Sequence, residues 1–270
     1  MKKALSLIVV TQAFLLLSGC SSLFMKSDPL TLNLEQGSTH NLVQETNVQA
    51  FSDATMTDEV MNMKMTIMVD YTVSKVAENG NLTVDAKVSA VKLKQNMSGM
   101  GMNYDSQNPD STDENGEMAS EHFDPIINQM VIVNLDKYGE IIKDENAEPA
   151  VPGTNPESLI KQVFSKLPGC ELKVGAIWIQ EMDSTSTVEA PMIYTVESVD
   201  KDKVTFTFTI DKSKSKDTDA ISDLQSGGKA IYNRKTGKLI ETTNNSTMKG
   251  NSPQMGEFYM VSTTSIKAVK

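Results

Sequence analysis

Met61-Asn62-Met63-Lys64-Met65-Thr66-Ile67-Met68-Val69-Asp70-Tyr71-Thr72 alternates without a break. Met61, Met63, Met65, Ile67, Val69 and Tyr71 fall on one side, and Asn62, Lys64, Thr66, Met68, Asp70 and Thr72 on the other. A period of two held that long predicts a half-buried antiparallel strand and excludes an amphipathic helix. Glu78-Asn79-Gly80-Asn81 follows, with the Asn-Gly pair that tolerates the positive φ of a tight hairpin. The return strand turns Leu82, Val84, Ala86, Val88 and Ala90 inward. Its apolar phase then shifts to Val91 and Leu93, which predicts a β-bulge near Ala90.

Upstream, Leu30 to Leu34 alternates and reads as a strand, Gly37 turns, and Asn41 to Phe51 reads as a second strand. Downstream, residues 98–121 are rich in Gly, Asn, Ser and Asp and lack Lys and Arg, so they read as a long mobile loop. Strands are expected at Asn128 to Leu135 and, after the turn Asp136 to Gly139, at Ile141-Ile142. One amphipathic helix is expected from Asn155, its cap, with Leu159, Ile160, Val163, Phe164 and Leu167 as its stripe and Pro168-Gly169 as its stop. The second half is β again. Strands are read at Val174 to Trp178, Met192 to Val199, Lys203 to Asp211, Lys229 to Asn233, Lys238 to Ser246 and Glu257 to Val269, with a polar loop over Ser213 to Gly228.

Two phrases recur. Tyr71-Thr72-Val73-x-x-Val76 matches Tyr194-Thr195-Val196-x-x-Val199, and the turn ending in Gly139 resembles the one ending in Gly237. The separations from tyrosine to glycine are 68 and 43 residues, and their difference of 25 is the length of the stretch 97–121. An internal duplication with that stretch inserted in the first copy accounts for both, and chance reuse of β-strand words is the alternative. The fold class expected is mainly β: a curved antiparallel sheet or open half-barrel with one helix on its concave side.

The N-terminus sets the expected address. Lys2 and Lys3 precede an apolar run, Ala4 to Leu17, too short for a comfortable membrane span. Leu17-Ser18-Gly19-Cys20 then resembles the lipobox of bacterial lipoproteins. The resemblance implies cleavage before Cys20, diacylglycerol on its thiol, and a lipid anchor in the cell envelope. Ser21, rather than Asp, after the cysteine implies the outer membrane. Several acyl chains hold a protein to a bilayer where one does so only marginally. Residues 1–19 are then signal peptide, 20–29 a tether, 30–150 the first β half with the acidic insert 97–121, 151–170 a connector and helix, and 171–270 the second β half.

Removing Lys2 and Lys3 takes the formal charge from −10 to −12. That argues against nucleic acid as a partner and against a body lying on anionic headgroups. With Cys20 acylated, Cys170 has no partner for a disulfide and reads as a buried, inert thiol.

The Met-rich strand, the two Tyr-Thr-Val-x-x-Val phrases, Tyr104-Asp105-Ser106 and Val174-Gly175-x-x-Trp178 together resemble a widespread family of uncharacterised bacterial envelope lipoproteins. The chain departs from that pattern at Thr39-His40 and Ala176-Ile177. The resemblance implies a fold and an address but no activity.

No Ser-His-Asp order, paired catalytic carboxylates, phosphate loop or His-rich metal spacing stands out, so no enzyme and no cofactor are expected. Asp105, Asn108, Asp110, Asp113, Glu114 and Glu117 are oxygen ligands of the kind Ca²⁺ takes, but lack the register of a known Ca²⁺ loop. The expected function is a binding module whose concave face, near Met61, Met63, Met65, Trp178, Phe206 and Phe208, holds an apolar ligand or a protein partner's apolar segment. Two alternatives stand beside it. One is a structural lipoprotein with a filled interior. The other is a Cu(I) protein using the thioethers of Met61, Met63 and Met65.

Overall fold

The computed structural model describes residues 28–97, 99–142, 160, 164, 166–180, 191–211, 221–252 and 256–269. Its strands are β1 (Thr39–Phe51), β2 (Glu59–Val76), β3 (Leu82–Met97), β4 (Met100–Asp105), β5 (Val131–Leu135), β6 (Ile177–Gln180), β7 (Met192–Val199), β8 (Lys203–Ile210), β9 (Ile221–Asn233), β10 (Leu239–Ser252) and β11 (Gly256–Val269). They form one antiparallel sheet in the order β4-β3-β2-β1-β11-β10-β9-β8-β7-β6, with β5 beside the start of β3. The mainly β, open sheet is the architecture that the alternating strands predict.

The strand quoted at the outset is β2. Ile67, Val69, Tyr71 and Val73 are buried, while Met61, Met63 and Met65 on the same side are half-buried. The bulge is present: Met68 pairs with Ala90 and Val69 with Val88, leaving Ser89 as the extra residue. The two Tyr-Thr-Val phrases occupy matching places. Each sits in the first strand of a hairpin, and each is bulged just after its valine, at Ser74 and at Glu197.

Three expectations are corrected, and a fourth falls largely outside the described residues. Residues 98–121 are not a featureless loop: they contain β4, two short 3-10 turns and the helix α1 (Glu117–Phe123). Tyr104 of β4 explains the order, because its ring stacks on Phe123 at 5.7 Å and its hydroxyl donates to Asp124 Oδ1 at 2.6 Å. The polar stretch Ser213 to Gly228 ends earlier than expected, since β9 begins at Ile221. Leu30 to Leu34 is not a strand, although its alternation is real and Leu30 and Leu34 are buried. The helix expected at 155–167 lies largely outside the described residues. Ile160 is helical, and Phe164 and Leu167 are not.

The segment 28–38 determines the shape of the sheet. The Leu32 amide donates to Lys137 O at 2.7 Å, and the Asn33 amide donates to Thr236 O at 2.9 Å. Those carbonyls belong to the turns after β5 and after β9. In a flat sheet these strands would lie six spacings, about 29 Å, apart. Adjacent amides can reach both carbonyls only if the sheet is curled at this end. Leu30 and Leu34 then fill two apolar clusters. One is built on β1, β2, β3, β5 and Ile160, the other on β7, β8, β9 and Leu167, and Leu32 and Leu239 touch both.

Candidate functional site

The register of the strands lays out the inner face of the curl in rows, because residues paired directly across antiparallel strands share a face. Nearest the turns, Phe206, Ala230, Thr242, Ile266, Gln44 and Ile67 run across six strands from β8 to β2. One step outward, Tyr194 and Phe208 lead to Gly228, Asn244, Thr264 and Thr46, and then to Met65. Next come Ser226, Ser246, Ser262, Val48 and Met63. At the far rim the row is Leu224, Met248, Met260, Ala50, Met61, Met97 and Met100.

The rows differ in how completely they are covered. At the turn end the interior is packed: Phe206, Val204 and Val73 are fully buried, and the cavity there is only about 40 Å³, lined by Leu34, Leu42, Tyr71, Leu135 and Tyr232 among others. Toward the rim Val48 and Ala50 of β1 are still buried, but Ser226, Asn244, Ser246, Met248, Met260 and Met61 are half-buried, and Met97 and Met100 are 44 % and 67 % exposed. The inner face is therefore core at one end and, among the described residues, an incompletely covered trough at the other. The rim is about 34 Å from His40 along β1, at the end away from the turns.

Among the described residues the trough carries no formal charge. Along β1, β8, β9, β10 and β11, and along β2 from Met61 to Val73, every Asp, Glu, Lys and Arg stands in the outer register. There several pair with a charge on the next strand or beyond, as Lys229 does with Glu197 at 2.8 Å and Lys267 with Glu241 at 3.1 Å. The polar groups on the inner face are neutral, and several bond to one another. Ser246 Oγ donates to Ser226 Oγ at 2.8 Å, Ser226 Oγ donates to Asn244 Oδ1 at 2.8 Å, and the Thr46 and Thr264 hydroxyls meet at 3.3 Å.

On the β8 side the trough is walled by aromatic rings. Trp178 meets Tyr194 at 5.1 Å and Tyr194 meets Phe208 at 5.4 Å, and burial pushes the Tyr194 hydroxyl up to about 12. Phe208 lies over Gly228, where an added Cβ would come within 2.6 Å of the ring and 1.9 Å of Thr243 O. On the opposite side, α1 and Tyr104 close off the sheet beside Met63, Met65 and Met102.

The six residues singled out from the sequence fall into two groups. Met61, Met63 and Met65 line the β2 side of the trough. Phe208 and Trp178 belong to the aromatic wall, while Phe206 is 0 % exposed and belongs to the core. The neutral polar floor separates the two groups. Sequence reasoning missed this floor, and it missed Met248, Met260 and Leu224 at the rim. Even positions of β10 and β11 carry the signal, yet Ser, Thr and Asn at half the positions of a strand look the same as a solvent face.

For Cu(I), Met63 and Met65 have no methionine opposite them on either neighbouring strand. Their partners are Val48 and Gln95, and Thr46 and Leu93. Among the described residues no group of three or more His, Cys, Asp and Glu side chains could hold a metal ion. The acidic residues have other partners: Asp105 pairs with Lys92 at 3.0 Å, and Asp113 accepts from the Gly116 amide at 2.7 Å. Cys170 is half-buried rather than fully buried, and desolvation pushes its thiol up, away from reactivity. Among the described residues no helix is long and apolar enough to cross a membrane.

No curated protein matches the chain. A solved structure described as lipid–protein interactions in lipovitellin is similar over 88 % of this chain, at 12 % identity and a TM-score of 0.52, which shows a shared fold. This chain spans 26 % of that one. A family model described as "Family of unknown function (DUF6263)" matches residues 79–158, which take in β3, β4, α1 and β5.

Proposed function

We propose that this chain is a lipid-anchored envelope protein, without catalytic activity, that holds an apolar ligand against the inner face of its curled sheet. The observation that carries the reading is the trough. An uncharged, largely apolar surface running from β9 to β4 is only partly covered by the described residues, buried at Val48 and Ala50 but half-buried or exposed at Met248, Met61, Met97 and Met100, in a chain whose net charge is −10. A soluble fold with no use for such a surface would fill it or charge it. The likeness to lipovitellin, a structure described by its lipid–protein interactions, supports an apolar ligand over a purely structural role. The anchor rests on the lipobox at Leu17 to Cys20; the described segment 28–38 lies at the turns, at the end away from the methionine rim.

Native mass spectrometry of the protein extracted from its host's membranes tests the binding. A co-purifying lipid-sized mass is expected, and a protein that carries none and takes none up from added lipid overturns the reading. Fractionation of Cys20→Ser tests the anchor. The variant is expected to leave the membrane pellet, and equal retention would sink the assignment.

A further inference from the structure

The trough's chemistry narrows the ligand class, on the footing of the binding role proposed above. We propose that it takes an uncharged amphiphile: a long acyl chain carrying a hydroxyl- and ester-bearing head with no phosphate, carboxylate or amine, as in an acylglycerol.

Three observations converge on this class. First, no cation or anion faces the trough from β8, β9, β10, β11, β1 or the Met61–Val73 part of β2. A charged head seated there would lose its hydration with no counter-charge to replace it. Second, the floor is not wholly apolar. Ser226, Ser246, Asn244, Thr46 and Thr264 supply neutral donors and acceptors that now bond to one another. Hydroxyls rotate freely and act as donor or acceptor, so this set can open to bond a glycerol head without leaving any group unpaired. Third, apolar surface flanks the floor on both sides, with Phe208, Tyr194 and Trp178 in one direction and Met65, Met63 and Met61 in the other. A head on the floor places a tail on one of these walls. Ring faces suit a methylene chain, and methionines adapt to its bends.

Trp178 is the only tryptophan in the chain, so it reports the aromatic wall without labelling. The test uses the full chain reconstituted in phosphatidylcholine nanodiscs. It is titrated with two probes of equal chain length, a dibromostearoyl monoacylglycerol and dibromostearic acid at a pH where the acid is ionised. Bromines on a seated tail quench Trp178. The neutral probe is expected to bind roughly tenfold tighter than the acid. Asn244→Lys, which places a cation on the floor, is expected to reverse the order, and Asn244→Gln is expected to preserve it. Equal binding of the two probes, or tighter binding of the acid by the unaltered chain, overturns the neutral-head assignment and leaves the binding role standing. Quenching by neither probe overturns both.

Discussion

The amide of Leu32 donates to the carbonyl of Lys137 at 2.7 Å, and that bond ties the turn after the edge strand β5 to the segment that leads into β1. The partner bond, from Asn33 to Thr236, completes a staple across six strand spacings. Two hydrogen bonds of about 1 kcal/mol each would not hold such a curl alone. The burial of Leu30, Leu34, Ile160 and Leu167 beneath it supplies the larger share, at about 1.5–3 kcal/mol per buried side chain. The inner face exists as a trough because this staple closes one end and leaves the other open.

The staple has a geometric weak point at Gly237. Its φ is +65°, and a Cβ added there would meet Thr31 O at 2.2 Å. Gly256 has a similar φ of +68° with nothing within 4 Å. Gly237→Ala is therefore expected to cost clearly more stability than Gly256→Ala, which bears only the backbone strain of about 1 kcal/mol. Urea denaturation of the two variants side by side measures the difference. Equal losses would mean that the segment 28–38 moves aside freely and does not set the curl.

The sequence made the strands legible wherever one side was apolar and the other polar, as in β2, β3, β7 and β8. It failed where burial and pairing part company. Leu30 to Leu34 alternates as a strand does, yet its amides bond to turn carbonyls, so the pattern reports burial and not a ladder. It failed again over residues 98–121, where Gly, Asn and Asp weaken every local preference and order comes from Tyr104 meeting Phe123 and Asp124. The candidate site was half legible. Its methionines on β2 stood out because they share a strand. The row from Leu224 to Met100 depends on the register of seven strands, and no local pattern encodes that.

Phe208→Ala is expected to destabilise the fold by about 3–5 kcal/mol, the usual cost of deleting a buried aromatic ring. Phe208 is 9 % exposed and covers Gly228, so the deletion uncovers backbone as well as leaving a hole. Tyr194 would lose its neighbour at 5.4 Å, and Trp178, which packs on Tyr194, is expected to shift its emission to the red as water enters. Thermal denaturation and the Trp178 spectrum check both. A loss below 1 kcal/mol with an unchanged spectrum would remove Phe208 from the wall.

Stability is expected to fall between pH 7.5 and pH 5.5, in part through His40. Burial, and secondarily the nearby Lys238, hold its imidazolium form down. Tyr71 packs on the ring at 4.9 Å, and Ser38 Oγ lies 2.9 Å from Nε2. The unfolded chain protonates His40 near pH 6.5, before the folded chain does, so the unfolded state binds the extra proton and stability drops as pH falls through that value. His40→Gln is expected to flatten this part of the profile. Melting temperatures at half-unit steps decide it, and parallel profiles for the two proteins would discard His40 as the source.

Tyr104→Phe tests whether the helical insert is ordered by one contact. The hydroxyl donates to Asp124 at 2.6 Å, and the 2 % exposed ring lies against Phe123. Phenylalanine keeps the stack and removes the bond, at an expected cost of about 1.5–3 kcal/mol for a hydrogen bond to a charged group. That cost should fall locally. Residues 114–126 touch the sheet mainly through β4, so they can open while the strands stay paired. Amide hydrogen exchange is expected to accelerate across α1 and its flanking turns in the variant, with β2 and β3 unchanged. Exchange that rises equally through β2 and β3 would show that the insert is part of the same cooperative unit as the sheet. Unchanged exchange in α1 would show that the stack on Phe123 alone holds it in place.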